Sequence, residues 1–219
     1  MGVRHPGPVV IGLGPLVVDA VDTARLDAFW SAAIGVAARR RLLRFRPERA
    51  PKSVKNRTHL DLHVDAVGGV ARLVALGARV LADHSPGWVT LADVEDNEFC
   101  AFPVTDTGGT APARPFAVCT DSDRPEQLAA WWAERIGARV GPGPDRTPRW
   151  LYGGRGWEAL IWKFVRVDDP RICANRWQWS VTGPVDELIA AGATVLTDGG
   201  LADPQHNEFS AADPHRPAG

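Results

Sequence analysis

Apolar residues along the chain follow two spacings, one typical of strands and one typical of helices. Between residues 23 and 34 they recur every three or four positions, which predicts a helix that Gly35 ends. Further helices are predicted at 67–76, 125–136 and 184–191. Short apolar or alternating runs predict strands at 9–21, 41–45, 57–65, 80–82, 88–92 and 98–102.

The same order of segments occurs twice. The matching pairs are 27–35 with 129–137, 56–57 with 175–176, 77–83 with 192–198, and 93–99 with 203–209. A repeat of this length predicts two related lobes. We place the lobes at 9–105 and 115–213, the linker at 106–114, and short tails at 1–8 and 214–219. The copies are unequal, because the hairpin predicted around 140–152 has no counterpart in the first lobe.

Composition favours an ordinary globular protein of the α+β class. The chain is 45% hydrophobic and 23% charged, and its net charge is −1. That balance gives no nucleic-acid or membrane signature. Strands interrupted by single short helices predict helices on one face of a mixed sheet. Three scattered cysteines favour reduced thiols, so we expect a cytoplasmic location.

Several repeated segments together resemble a known family. They are Phe29-Trp30 before Gly35, Lys55-Asn56-Arg57, His59-Leu60-Asp61-Leu62, and Asp93 followed by Asn97-Glu98-Phe99. This set resembles the glyoxalase-like domain of the vicinal oxygen chelate superfamily. The resemblance implies tandem βαβββ modules, with mixed sheets that curl around a cleft. It also implies a family of metal-dependent lyases, isomerases and dioxygenases, together with metal-free proteins that sequester antibiotics.

The metal-ligand positions of such a family fall mostly on unsuitable residues. Carried over by the resemblance, they fall on Pro15, His59, Cys100, Phe116, Gln178 and Ser210. Only His59 and Gln178 suit an oxygen-and-imidazole site, and one imidazole does not hold an ion. We therefore expect the inherited metal site to be lost and expect no cofactor.

One strand face concentrates the remaining candidate chemistry. His59, Asp61 and His63 share a face because side chains alternate along a strand. Glu98 and Cys100 are expected to point to the same side. His59 with Asp61 or Glu98 would form a general-base pair. Alternatively, His59, Asp61, His63 and Glu98 hold a rebuilt metal site, or the histidines are ordinary polar wall residues.

Tryptophans and a polar face supply the ligand-binding candidates of the second lobe. Trp150, Trp157 and Trp162 are expected to line the cleft, whereas Trp177 and Trp179 are expected in the core. Gln178 and Ser180 lie on the face that corresponds to His59. Glu208 repeats Glu98, and this repetition favours a structural role for both.

The first functional hypothesis is a metal-free small-molecule binding protein that captures an aromatic or antibiotic-like compound. The second is a metal-independent lyase, isomerase or cyclase that uses His59 with a carboxylate. A third is a metal-dependent lyase or dioxygenase with a rebuilt site. The expected partner is a small-molecule ligand, neither nucleic acid nor membrane, and the protein is expected to be a monomer or homodimer.

Overall fold

The computed structural model describes residues 11–211, so the predicted tails at 1–8 and 214–219 lie outside the described residues. Its two longest helices have twelve residues each and coincide with two predicted helices. No helix within residues 11–211 is long and apolar enough to cross a membrane. The first repeat contains β1 (Gly12–Ala20), α1 (Thr23–Ile34), α2 (Val36–Leu42), β2 (Leu43–Pro47), β3 (Thr58–Asp65), α3 (Gly69–Ala75), β4 (Arg79–His84), β5 (Trp88–Ala92) and β6 (Glu98–Val104).

The second repeat follows the same order with more strands in its first half. Its main helix begins at a proline and ends at Gly137, whose left-handed conformation closes the helix without steric cost. The elements are β7 (Ala113–Ser122), α4 (Pro125–Ile136), β8 (Arg139–Pro142), β9 (Pro148–Tyr152), β10 (Ile161–Arg166), β11 (Trp177–Thr182), α5 (Val185–Ala190), β12 (Thr194–Val195), β13 (Leu201–Ala202) and β14 (Glu208–Ala211).

The strands form two open mixed sheets, and each sheet takes strands from both repeats. The six-stranded sheet has the order β12-β13-β14-β11-β1-β2, and the eight-stranded sheet has the order β4-β5-β6-β3-β7-β10-β9-β8. The repeats join through antiparallel pairs, β1 with β11 and β3 with β7. The ranges 9–105 and 115–213 therefore describe sequence repeats, while each sheet combines half of one repeat with half of the other.

The prediction that only the second repeat contains a hairpin around residues 140–152 is confirmed. Strands β8 and β9 form an antiparallel hairpin in the second repeat. Helix α2 stands at the corresponding place in the first repeat, so the strand predicted to begin at Arg41 begins at Leu43 instead. The six-stranded sheet consequently ends at β2.

Tryptophans connect the two sheets through the core. Trp30 on α1 contacts Phe99 of the eight-stranded sheet and Trp177 of the six-stranded sheet, with ring centroids 5.3 and 5.6 Å apart. Trp132 on α4 also contacts both sheets, with its ring centroid 5.1 Å from that of Trp162 and 5.5 Å from that of Trp179. Large aromatic surfaces removed from water are a main source of stability in a core of this kind.

A buried aspartate organises the same turn in both repeats. Asp93 accepts hydrogen bonds from the backbone N–H groups of Glu95 and Asn97, from the Asn97 amide, and from Trp30 Nε1 at 3.0 Å. Asp203 makes the equivalent bonds in the second repeat, to Gln205, Asn207 and Trp132. The repeated Asp and Asn residues thus fix a turn to the main helix, which accounts for their recurrence.

The repeated Asn-Arg pair ties the two repeats together. Arg57 donates from Nη2 to Glu208 Oε2 at 2.7 Å, and its backbone N–H donates to Asn175 Oδ1 at 3.1 Å. Arg176, which belongs to the second repeat, donates to the backbone oxygens of Asp19 and Ala50 in the first repeat, both at 2.7 Å. Each arginine therefore contributes to the contact between repeats.

Replacing Asp93 by Asn is expected to lower the free energy of unfolding by about 2 kcal/mol, because the new amide would turn a donor toward N–H groups that now share one carboxylate. Asp96→Asn is the matched control. Asp96 is exposed with φ 63°, a conformation that Asn tolerates, so its change should stay within about 0.5 kcal/mol. Urea denaturation of both variants decides the point, and equal midpoints would contradict this role of Asp93.

Candidate functional site

The two faces of strand β3 differ in chemistry. Leu60, Leu62 and Val64 are fully buried in the core. His59, Asp61 and His63 alternate with them and lie on the opposite face, which we call the outer face of the eight-stranded sheet.

Strand register brings side chains from both repeats together on this face. Strand β3 places His59 opposite Cys119 on β7, and β7 places Cys119 beside Lys163 on β10. On the other side, Asp61 lies beside Cys100 on β6. Ala117 lies opposite Asp61 and presents only a methyl group, so the long side chain of Lys163 can reach across β7.

Asp61 is the centre of this arrangement, and we call these five residues (His59, Asp61, Cys100, Cys119 and Lys163) the Asp61 cluster. Lys163 Nζ donates to Asp61 Oδ2 at 2.8 Å, and the Cys119 thiol donates to the same oxygen at 3.1 Å. His59 Nε2 lies 3.4 Å from Asp61 Oδ1 and 3.7 Å from Cys100 Sγ. The Asp61 and Lys163 side chains are only 3% and 9% exposed, so the pair is largely shielded from water.

Aromatic rings surround the Lys163 ammonium. Its nitrogen lies 4.5 Å from the ring centroid of Phe116, 4.9 Å from that of Trp150 and 5.1 Å from that of Phe102. Cation–π attraction favours the charge at these distances. Trp88 stacks beside Phe102 with a centroid separation of 5.9 Å and is 38% exposed. The outer face therefore combines a buried cation with partly exposed rings.

The cluster shifts the proton affinities of its members. Burial alone would raise the pKa of Asp61, but His59 and Lys163 outweigh this and hold that pKa below its usual value. Burial would lower the pKa of His59, yet the Asp61 carboxylate and hydrogen bonds with Cys100 and Cys119 raise it well above 6.5. Burial and the Asp61 charge raise the pKa of Cys119 to about 12, so this thiol stays neutral and donates its proton.

His63 lies on the same face but outside the cluster. It stacks on Phe116 with ring centroids 3.9 Å apart and an interplanar angle of 8°. Its Nδ1 lies 3.2 Å from Arg114 Nη2. Burial, followed by the positive charges of Arg114 and Lys163, lowers the pKa of His63.

The two glutamates predicted for the site are held elsewhere. Glu98 accepts from Lys52 Nζ at 2.7 Å and from the backbone N–H of Asn56 at 3.2 Å. Glu208 accepts from Arg57 at 2.7 Å and from the backbone N–H of Asn175 at 3.4 Å. Glu98 on β6 therefore anchors the segment that enters β3, and Glu208 on β14 anchors the segment that enters β11.

The three tryptophans predicted to line the cleft lie in different places. Trp150 is on the outer face, half-buried, and its Nε1 has no hydrogen-bond partner among the described residues. Trp157 and Trp162 are in the core, 4% and 2% exposed. Their indole N–H groups donate to the Gly14 oxygen at 2.8 Å and to Thr120 Oγ1 at 3.0 Å. Only Trp150 is therefore brought to the Asp61 cluster.

Gln178 and Ser180 lie on the six-stranded sheet, on its face away from the core. Ser180 Oγ donates to the Pro15 oxygen at 2.8 Å, and Gln178 Nε2 donates to the Asn175 oxygen at 3.2 Å. Gln178 and Glu208 line a groove of about 520 Å³ that also contains Arg46. These residues form a surface separate from the Asp61 cluster.

The six inherited metal-ligand positions divide between the two sheets. Pro15, Gln178 and Ser210 are on the six-stranded sheet, whereas His59, Cys100 and Phe116 are on the eight-stranded sheet. The rebuilt metal site predicted from the sequence included His63 and Glu98. His63 instead contacts Phe116 and Arg114, and Glu98 pairs with Lys52. The group that does converge is His59, Asp61 and Cys100, whose ligand atoms lie within 4.8 Å of one another.

Sequence reasoning missed Lys163 and Cys119. Their positions beside Asp61 depend on which strand of the second repeat pairs with β3, and a repeat in the sequence does not show this pairing. One signal was present, since Lys163 interrupts an apolar strand and is one of only three lysines, the others being Lys52 and Lys55. A buried lysine in such a strand needs a paired carboxylate.

Comparisons with known proteins agree with this architecture. A family model described as Glyoxalase-like domain matches residues 15–102 and 117–212. Glyoxalase I from Zea mays is similar over 93% of this chain and 92% of its own, with 13% identity and a TM-score of 0.57. A Bacillus subtilis protein whose name proposes a dioxygenase is similar over 95% of this chain and 87% of its own, with 13% identity and a TM-score of 0.61.

At these identities the solved structures show a shared fold alone. No curated protein matches the chain.

His59 and His63 are expected to titrate on opposite sides of pH 6.5, His59 above and His63 below. A raised folded-state pKa means that His59 contributes stability below pH 6.5, which is lost as the pH rises through its folded value. His63 contributes above pH 6.5 and loses its contribution as the pH falls. NMR titration of the imidazole signals, assigned with His59→Gln and His63→Gln, measures both, and the reverse order would refute the described surroundings.

Proposed function

The chain belongs to the Glyoxalase-like domain family, and from that premise we propose that it binds a small, flat, anionic molecule on the outer face of its eight-stranded sheet. The observation that carries the proposal is the Lys163 ammonium among three aromatic rings. A preorganised cation beside apolar rings recognises an aromatic ring that bears a negative charge. Antibiotic-like polycyclic acids fall within this class.

The balance of charges supports an anion. Two basic side chains, Lys163 and His59, share the single carboxylate of Asp61. Two other carboxylates of the eight-stranded sheet, those of Glu98 and Asp121, are already paired with Lys52 and Lys55. A negatively charged ligand would complete the pairing where water screens charge poorly.

The rings support a flat ligand. Trp88 and Trp150 offer large, rigid surfaces, and the unpartnered Trp150 N–H is a donor that an acidic oxygen would satisfy. The proposal includes the curl that the resemblance implies, with the eight-stranded sheet as the wall of the cleft. It also places the protein in the cytoplasm, where its free cysteines would stay reduced.

A metal-independent lyase or isomerase is the second candidate function. It is favoured by the 3.4 Å separation of His59 Nε2 and Asp61 Oδ1, an ion-pair distance at which the carboxylate would stabilise the imidazole in its protonated form during proton transfer. His59 would donate or accept a proton on a ligand held by Lys163. His59→Gln would then abolish turnover while leaving ligand affinity within about threefold. Unchanged turnover in that variant would exclude the enzyme hypothesis.

Aromatic carboxylates of one to three fused rings are expected to bind at least about tenfold more tightly than their neutral carboxamides, because only the acid pairs with the cation. Isothermal titration calorimetry measures both. Lys163→Met combined with Asp61→Asn should abolish this preference, since it removes the lysine cation together with the carboxylate that would otherwise lose its lysine partner.

The aromatic contribution has its own matched pair of variants. Trp150→Leu should weaken binding of the carboxylate by at least about tenfold, as expected for loss of one stacking ring. Trp131→Leu should leave the affinity unchanged, because Trp131 is a half-buried tryptophan on α4 that donates to the Ala191 oxygen. Equal affinities of acid and amide, or equal effects of the two tryptophan variants, would contradict the proposed site.

A further inference from the structure

We propose that Lys163 acts as a built-in cation that keeps divalent metal ions out of the ligand set formed by His59, Asp61 and Cys100. The inference rests on the proposed function, because it explains why the cation on this face is a side chain. The family resemblance implies a divalent ion, and the residues present do not fit one while Lys163 occupies its place.

The ligand set itself has suitable chemistry. An imidazole, a carboxylate and a thiol offer atoms within 4.8 Å of one another. Such nitrogen, oxygen and sulfur donors suit zinc or cobalt rather than magnesium or calcium. Cys119 lies outside this set, and its thiol donates to Asp61 Oδ2 at 3.1 Å.

Lys163 makes this set unusable for a cation. Its ammonium lies 2.8 Å from Asp61 Oδ2, so an ion bound to the same carboxylate would lie only a few ångströms from a positive charge. Repulsion between a double and a single charge at that separation is large where water is mostly excluded. The ammonium already supplies the attraction that a metal would offer to Asp61.

The surroundings prevent Lys163 from moving aside. Phe102, Phe116 and Trp150 face its ammonium, and the residue is 7% exposed. Leaving this position would forfeit the contacts with all three rings and leave Asp61 without its lysine partner, which is costly for a buried carboxylate. The exclusion is therefore built into the sheet rather than dependent on an outside ligand.

Removing the lysine is expected to create a metal site. Reduced, metal-free protein is titrated with Co²⁺, and binding is followed by the thiolate-to-cobalt charge-transfer absorption and by metal analysis. Wild type should show no such absorption. Lys163→Ala should bind one equivalent at least about a hundredfold more tightly than wild type, because the repulsion is gone and the carboxylate is freed. Metal binding should release the Cys100 thiol proton to solvent.

Two further variants make the test specific. Lys163→Arg keeps the positive charge and should remain without the absorption, whereas adding Cys100→Ser to Lys163→Ala should abolish it. Lys163→Gln keeps a hydrogen-bond donor for Asp61 and decides the question if the alanine variant does not fold. One equivalent of cobalt with the thiolate band in wild type, or no cobalt binding in folded Lys163→Ala or Lys163→Gln, would overturn the inference.

This titration contains no organic ligand, so its outcome is independent of the affinity for aromatic acids. If aromatic acids do not bind but Lys163→Ala gains cobalt, the proposed function fails and the role of Lys163 stands. If the acids bind and wild type also takes up cobalt at the cluster, the proposed function stands and the role of Lys163 in metal exclusion fails.

Discussion

The antiparallel pairing of β3 with β7 is the constraint on which the site depends. It joins the second half of the first repeat to the first half of the second repeat. Asp61 comes from one repeat and Lys163 from the other, and they meet because β10 continues the same sheet. A buried carboxylate and a buried ammonium are each unfavourable alone, so the pair also favours this one register over its neighbours.

The duplicated skeleton and the unequal outer faces have separate physical origins. Asp93 and Asp203 fix equivalent turns to Trp30 and Trp132, which gives both repeats the same link between the turn and the main helix. The side chains on the sheet faces away from the core do not take part in these turns, because alternation along a strand points them away from the core. The Asp61 cluster therefore occurs on only one of the two sheets, and the other carries Gln178 and Ser180.

Sequence periodicity predicted what depends on local burial. It gave the two long helices, the core positions of Trp177 and Trp179, and the shared face of His59, Asp61 and His63. The partners of those side chains depend on strand pairing between distant segments, which periodicity does not encode. Lys163 was missed for that reason. Trp157 and Trp162 were placed in the cleft because a tryptophan near a hairpin gives no indication of which sheet face it occupies.

The central claim, that Lys163 is a fixed cation held by Asp61 and three rings, is tested most directly by NMR of the lysine ammonium groups. With three lysines in the chain, the spectrum is simple to assign. We expect one Lys163 ammonium signal that exchanges slowly with water, shows cross-peaks to the rings of Phe116 and Trp150, and disappears in Lys163→Met. A Lys163 ammonium that exchanges as rapidly as the half-exposed Lys55 and shows no ring cross-peaks would contradict it.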